Sequence, residues 1–457
     1  MDADRDRRRR RDRVRLESLR ENVAARLWPL PVAAVVIAVA LGVLIPLVDS
    51  AVDSSLPPAL AAALFSGGSE AARAVLGAIA GSLVSATTLT FSLTVVALQL
   101  ASTQASPRVL RLFARDRVVH RTLAVFLGTF AFALTVLRTV RNPADPEPAV
   151  VPRIAVTLAF VLTLVSVVML VLFLSHLARQ LRIDTVLRDV HDETSATIAL
   201  VSERDNGDDA PAPPRPPHAR PVAAARSGFL TGVDREQLMR IAVDHDLVVE
   251  ETRTIGTDLV AGTPLAFWWS HDPARVVPPD EAERIDAAVA DVFGLGYERT
   301  PTQDIGFGLR QLVDIATRAL SPGVNDPTTA VHTLGHISAV LSDLARRPAQ
   351  PAVWSREGVA RLVVRTHDFA DLVELGVAQV RRYGSGDAEV ADRLLALLQE
   401  LAWACGSDDQ RAVVRQQLAR LMATIAEREH DETERARFAR LQSSVEAALD
   451  GRWDAPR

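Results

Sequence analysis

The chain contains no lysine, one cysteine and few aromatic residues, and these shortages exclude several classes of function. All 51 basic residues are arginine, against 56 acidic residues, so the formal net charge is −5. This acidic balance, with only 5% aromatic residues, argues against nucleic-acid binding, which needs a basic surface with interleaved aromatics. The lone Cys405 excludes an internal disulfide and a thiolate metal cluster, and we expect it to be a buried apolar residue.

Long apolar runs are abundant instead, and four of them lie within the first 175 residues. A helix needs roughly 20 residues to cross a bilayer core. The runs at 27–48, 71–100, 122–140 and 154–174 are nearly free of charge, so they predict four transmembrane helices in a domain at 27–175. A basic segment at 1–26 precedes the first run, which is too long for a signal peptide and should be retained.

The uneven distribution of arginine predicts the orientation. Residues 1–25 carry nine arginines against six carboxylates, and residues 101–121 carry five against one. Residues 49–70 carry three carboxylates and no arginine. Because basic flanks stay in the cytoplasm, we expect a bacterial inner-membrane protein with both termini in the cytosol.

The second run carries hydroxyl and amide side chains where an anchor would carry leucine. On a helical wheel these side chains lie near one face and are candidates to line a pore or cavity: Ser85, Thr88, Ser92, Gln99 and Ser102. Close helix packing explains the pattern equally well, because hydroxyls bond to the carbonyl four residues earlier and small residues let helices approach. Three arginines that follow are candidates for the cytosolic mouth of such a pore: Arg108, Arg111 and Arg115.

After the membrane runs, the pattern predicts a cytosolic α+β region, so the fold class is mainly α. Residues 176–226 read as a helical extension and a Pro-rich linker, residues 227–278 as a small β-containing module, and residues 279–450 as a helical domain. The phrase at 256–265 is similar to hairpins of biotinyl and lipoyl carriers, but without a lysine we expect a structural hairpin. Continuous helices are expected at 356–382 and 407–449.

The best-defined phrase of this region spans residues 299–330. Asp326 followed by Pro327 predicts a helix N-cap and first helical residue. Asp314 lies four residues from both Arg310 and Arg318, which predicts a charge stripe on one helix face. The phrase is either a structural helix–turn–helix or a binding site at a capped helix start. Its candidate residues are Gln303, Asp304, Arg310, Asp314, Asn325 and Asp326.

Two segments, 90–116 and 303–330, resemble the bacterial membrane-protein family catalogued as domain of unknown function 2254. The resemblance covers about residues 20–445 and is weakest in the Pro-rich stretch near 205–222. It implies a multi-span inner-membrane protein and carries no activity with it.

We expect an oligomeric inner-membrane channel whose second span lines the path and whose cytosolic region regulates it. Four spans hardly enclose a pore alone, so the channel requires a homo-oligomer. The alternative is a membrane-anchored sensor or scaffold without transport. The expected partners are the lipid bilayer, other copies of the chain, and a small ion or small-molecule ligand.

Neither catalysis nor a cofactor is expected, because no set of nucleophile, base and oxyanion donor can be assembled from the sequence. His332 and His336 share a helix face, as two metal ligands would. A third ligand is not close in sequence, which favours ordinary helix positions, and we expect no metal site.

Overall fold

The computed structural model of the protein describes residues 28–52, 64–104, 116–141, 151–203, 211–348 and 352–453. They divide into two units, one within residues 1–185 and the other within residues 186–457. The first unit consists of helices, and the second combines strands with helices. The predicted fold class, mainly α with an α+β region after the apolar helices, is confirmed.

Four long apolar helices form the first unit. They are α1 (Pro29–Val52), α2 (Ser69–Gln104), α3 (Arg117–Thr139) and α4 (Arg153–Gln180). Each contains a stretch that is long and apolar enough to cross a membrane, so the four predicted spans are confirmed. Carboxylates satisfy free N–H groups where helices begin: Asp116 accepts from Val118 N, and Asp49 accepts from Ile154 N, both at 2.8 Å.

The third helix is the most buried of the four. Half of its most apolar stretch lies inside the unit, against about a fifth for each of the other helices. Phe126 and Phe132 fill the centre of this packing. Gly42 of α1 allows α3 to approach closely, because a Cβ atom built there would lie 2.8 Å from the Cβ of Thr135.

The second unit begins with helix α5 (Ile183–Glu203), two residues after α4 ends. Its eight strands are β1 (Arg220–Ala223), β2 (Gly228–Val233), β3 (Leu247–Glu251), β4 (Asp258–Leu259), β5 (Pro264–Ser270), β6 (Phe293–Gly296), β7 (Val353–Arg356) and β8 (Val359–Val363). Its remaining helices are α6 (Arg235–Asp244), α7 (Pro279–Ala290), α8 (Ile305–Ala319), α9 (Pro327–Arg346), α10 (Phe369–Gly384), α11 (Ala388–Ala404), α12 (Asp408–Ala426) and α13 (Glu432–Leu449).

The strands form two sheets that share one core. The larger sheet has the order β1-β5-β3-β8-β7, and the smaller has the order β4-β2-β6. In the larger sheet, β3 pairs antiparallel with β5 and parallel with β8, where Val249 lies opposite Leu362. Leu238 of α6 and Ile285 of α7 are fully buried in the same core as these two residues. Burial of apolar side chains therefore holds α6 and α7 against the strands.

The strand content differs from the sequence prediction in three places. The expected helix at 356–382 is wrong over its first part, because β7 and β8 form a hairpin there and α10 begins only at Phe369. Glu357 and Gly358 occupy the turn with φ of 54° and 76°, as a type I′ turn requires. Strands also lie outside the predicted module at 227–278, on both sides of it.

The expected continuous helix at 407–449 is also wrong, because it is two helices, α12 and α13. Each begins with its own capping box, formed by Ser407 with Gln410 and by Asp431 with Glu434. A second capping box inside a periodic run marks a new helix start, and this signal was available in the sequence.

Candidate functional site

The polar side chains predicted on the second span lie on the outer side of the first unit. Ser85, Thr88, Ser92 and Gln99 of α2 are all exposed, and we call these four residues the polar face. Ser102 belongs to the same helix, but its side chain lies outside the described residues. The three arginines predicted at the cytosolic mouth also lie outside them: Arg108, Arg111 and Arg115.

Most hydroxyl groups described in the middle of α2 are satisfied by the helix itself, whereas that of the buried Thr90 has no hydrogen-bond partner among the described residues. Ser85 donates to the Gly81 carbonyl at 3.2 Å, and Thr88 donates to the Val84 carbonyl at 2.9 Å. Such bonds to the preceding turn remove most of the cost of placing a hydroxyl in hydrocarbon. The presence of these hydroxyls therefore does not by itself require water.

Two glycines continue the polar face toward the start of α2, and the space beside them is open. A Cβ atom built on Gly77 or Gly81 would meet no atom within 4 Å. With Ser85 they form a small-residue pattern at four-residue spacing, which in membranes favours close contact with another helix. Large apolar side chains also point outward, as lipid contact favours: Val84, Leu89, Phe91 and Val96 on α2, Val36, Ile37, Leu44 and Leu47 on α1, and Phe160, Leu164, Val168 and Leu172 on α4.

A contact between α2 and α3 allows the depth of the polar face in a bilayer to be estimated. Arg73 donates to the Val140 carbonyl at 2.8 Å, which marks a polar level near the start of α2. A hydrocarbon layer of about 30 Å, crossed at about 1.5 Å per residue, then ends near Leu93. In a layer placed in this way, Ser85 and Thr88 would lie inside it, whereas Gln99 would lie about 9 Å beyond its end. The amide of Gln99 therefore does not have to be buried in hydrocarbon.

A buried polar group at the end of the membrane helices was missed by the sequence analysis. Asp116, which caps α3, also lies 2.6 Å from Nε2 of His176 on α4. One turn further along α3, His120 is buried, and its Nε2 has no hydrogen-bond partner among the described residues. An Asp immediately before an apolar run is the signal that predicts such a cap.

In the second unit, the phrase at 299–330 is organised around Asp304. This carboxylate is 2% exposed and caps α8, accepting from Phe307 N at 3.0 Å. Arg299 binds it with two nitrogens, each 2.8 Å from a carboxylate oxygen. Gln303, one residue earlier, accepts from Val233 N of β2 at 3.1 Å. The phrase thus joins a strand to a helix start.

The expected hairpin at 256–265 is wrong, because β4 pairs with β2 in the smaller sheet and β5 pairs with β1 and β3 in the larger one. The segment meets the phrase at 299–330 at its first glycine. Gly256 has φ of 87°, and a Cβ atom there would lie 2.2 Å from an Asp304 oxygen. His367, which precedes α10, lies 3.0 Å from the Ile255 carbonyl and 3.8 Å from Asp304. The two phrases singled out in the sequence therefore form one cluster, Arg299, Asp304, His367 and Gly256, which we call the Asp304 cluster.

The remaining predicted residues of the phrase are placed elsewhere. Asp326 caps α9 as predicted, accepting from Thr329 N at 3.0 Å, and Pro327 follows as the first helical residue. Hydrogen bonds from Thr329 lower the pKa of the Asp326 carboxyl below its usual value. Asn325 adopts a left-handed conformation with φ of 50°, which asparagine tolerates better than most residues. Arg310 and Asp314 lie half-buried on α8.

Two neighbouring carboxylates of β3 form a second ionic group. Glu250 is bound by two nitrogens of Arg215 at 2.7 and 2.8 Å, and this pairing lowers the pKa of its carboxyl. Glu251 is bound in the same way by Arg235 at 2.8 and 2.9 Å. Glu250 and Arg215 line a shallow depression together with Arg365. Paired in this way, the carboxylates anchor flanking segments to the sheet.

Residues with reactive side chains are not gathered into a metal or thiol centre in the described part of the chain. No group of three or more His, Cys, Asp or Glu there could hold a metal ion. His336 instead packs against His191 of α5 with 5.2 Å between ring centroids. Cys405 is buried as expected, and burial raises the pKa of its thiol to about 11.

Four apolar helices of membrane-spanning length define the class of this protein as a membrane protein. The family described as Predicted membrane protein (DUF2254) matches residues 24–400, and the chain belongs to this family. Uncharacterized protein Rv1290c of Mycobacterium tuberculosis and uncharacterized protein Mb1321c of Mycobacterium bovis are each 38% identical over 371 residues, 80% of this chain and 70% of the relative. No solved structure matches the chain.

Proposed function

We propose that the protein is a homo-oligomeric channel of the bacterial inner membrane in which the polar face of α2 borders the path. One observation carries this proposal. The polar face points away from its own unit and continues the small residues Gly77 and Gly81, with exposed apolar side chains such as Leu89 and Val96 beside it. Around it, α1 and α4 expose large apolar side chains suited to lipid. Neighbouring copies that meet along α2 would place the polar faces around a common axis.

Orientation and ion preference follow from the arginines. The excess of arginine in 1–25 and 101–121 supports cytosolic termini and a positive inner mouth. A positive mouth concentrates anions, so we propose anion permeation or an unselective leak rather than cation selectivity. The second unit would then lie in the cytosol and regulate the path. We propose no enzymatic role for either unit.

The second candidate is a membrane-anchored sensor or scaffold, and a specific observation favours it. Ser85 and Thr88 are already bonded to their own helix, so the face could be sealed between copies without any water. The two functions share the contact along α2 and differ only in whether that contact encloses water.

Cysteine scanning distinguishes the two functions. Single cysteines replace Ser85 and Thr88 in a Cys405→Ser background, and the protein in liposomes is treated with a charged thiol reagent. Leu89→Cys on α2 and Val168→Cys on α4 are matched controls, because both native side chains are exposed and apolar at membrane depth. Gln99→Cys should react in either case, since it lies beyond the hydrocarbon layer, so it reports only that the reagent is active.

The channel predicts modification at 85 and 88, none at the two controls, and a current in planar bilayers that the modification changes. Protection at 85 and 88 together with an absence of current would refute the channel and leave the scaffold. The shared contact has its own test, in which Gly81→Leu should lower the oligomer mass measured by light scattering in mild detergent, while Val168→Leu should not. A wild-type protein that is monomeric there would refute both functions as stated.

A further inference from the structure

Helix α5 is the segment of the second unit that directly continues the last membrane helix, and specific contacts hold it. Thr194 is fully seated against Gly308 of α8, where an added Cβ would lie 1.9 Å from the threonine hydroxyl oxygen. Thr197 donates to the Pro301 carbonyl at 2.8 Å. The apolar side of α5 is buried as well, through Val186, Leu187, Val190 and Ile198. Helix α5, which follows α4 in the chain, is therefore held by both polar contacts and apolar burial, and both would be lost if it moved away from α8 and α9.

The contact between α5 and α9 is made by two imidazole rings. His191 and His336 meet edge to face, with ring centroids 5.2 Å apart and an interplanar angle of 62°. Both side chains are partly buried, and Nδ1 of His191 is buried without a hydrogen-bond partner among the described residues. Two neutral rings pack favourably in this geometry, whereas two imidazolium ions would repel each other with little water between them.

The charges around this contact add to the repulsion. His332 on α9 and Arg188 on α5 also disfavour a charge on His336, and Asp192 on α5 is the opposing carboxylate. Burial is the largest cause that lowers the pKa of His336, and His191 is the next. Arg188 thus opposes a proton on His336 and Asp192 favours one, so these charges do not compensate for the burial of the ring.

Helix α11, which packs on the other side of α9, leaves this balance unchanged. Its Arg393 and Glu400 form an ion pair with 2.9 Å between Nη2 and Oε2, and Ser338 of α9 donates to the same carboxylate. A neutral pair on that side contributes no net charge toward His336.

We propose that the His191–His336 contact is a proton-sensing site that holds α5 on α9 while both rings are neutral and releases it when His336 takes up a proton. The group with the lowered pKa stabilises the docked helix above its ordinary pKa near 6.5 and loses that contribution as the pH falls below this value. This proposal is independent of the proposed function, because a docked or released α5 can be measured whether or not the membrane helices conduct.

Hydrogen exchange measured by mass spectrometry on the full-length protein in detergent tests the proposal. Exchange of backbone amides at 186–198 is compared at pH 7.5 and pH 5.5, after correction for the intrinsic pH dependence of exchange. For one imidazole whose pKa docking lowers, we expect protection at pH 5.5 to fall by up to about tenfold, because pH 5.5 lies about one unit below the ordinary histidine pKa near 6.5. Amides of α11 should keep their protection, since five of its leucines are fully buried.

A double variant, His191→Gln with His336→Gln, should show protection of α5 that no longer depends on pH. His271→Gln is the matched control, because His271 is an exposed histidine of the same unit. Protection of wild-type α5 that is equal at both pH values would overturn the proposal, whatever the variants do. A parallel loss of protection in α11 would also overturn it, because acid would then unfold the whole unit rather than release one helix.

Discussion

Replacing Asp304 by asparagine should be among the most destabilising single-atom changes in the second unit. The carboxylate is 2% exposed and neutralises Arg299, whose side chain is 22% exposed. Breaking a buried ion pair by removing one partner costs about 3–5 kcal/mol, because the other charge is left uncompensated. Since Arg299 keeps some contact with water, we expect the lower end, about 3 kcal/mol.

Asparagine preserves the other role of Asp304, because its side-chain oxygen can still accept from Phe307 N at the start of α8. Asp326→Asn is therefore the matched control. It changes the same residue type at the cap of α9, where Thr329 and not an arginine supplies the hydrogen bonds. Its expected cost is below about 1 kcal/mol.

The assay is thermal unfolding of the full-length protein in detergent, with native-state hydrogen exchange of α8 to locate the effect. For a unit of this size, 1 kcal/mol corresponds to roughly 2–4 °C, so Asp304→Asn should lower the midpoint by roughly 6–12 °C. The control should lower it by no more than about 4 °C. Equal shifts in the two variants would refute the argument that the buried ion pair, rather than the cap, stabilises this region.

Three further changes have defined outcomes in the same assay. Gly256→Ala should cost more than Gly262→Ala by at least about 2 kcal/mol, because both glycines have positive φ but only the first faces atoms that a Cβ would strike; equal costs would contradict the crowding. Asp392→Asn should stabilise the protein at pH 7 but not near pH 3. Burial raises the pKa of this carboxyl, so its ionisation destabilises the fold as the pH rises. A gain in stability that is independent of pH would contradict this expectation. Gly308→Ala should cost about 1–3 kcal/mol, and Thr194→Ala in the same chain should recover part of the loss; simple additivity of the two costs would contradict direct contact.

Features encoded within one short segment could be predicted from the sequence. The four membrane helices follow from charge-free runs of sufficient length. Exposing such long apolar runs to water would cost much free energy in any other arrangement. The cap of α9 follows from Asp326 and Pro327 alone. Periodicity also placed the four residues of the polar face together, and they do share one exposed side of α2.

Features that join distant segments could not be predicted in the same way. The Asp304 cluster combines residues from three segments, and nothing near Gly256 in sequence shows that a carboxylate will lie against it. The hairpin of β7 and β8 could not be predicted because its short strands lie between helical runs. Its turn contains Glu357 in a left-handed conformation, and glutamate is not a residue that usually indicates such a turn. Periodicity also cannot tell whether the polar face of α2 points toward its own unit or away from it.

The parallel pairing of β3 with β8 has a consequence for biosynthesis. Val249 and Leu362 are neighbours in the sheet although more than a hundred residues separate them, and four strands and three helices lie between. During translation, the edge of β3 that pairs with β8 stays unpaired until β8 has been synthesised. The fold therefore has a high contact order at this point, which slows folding and exposes an apolar strand edge in the meantime. A nascent chain that ends at residue 278 carries β3 without β8 and with its apolar edge uncovered, so it should need a chaperone until the rest of the unit is synthesised.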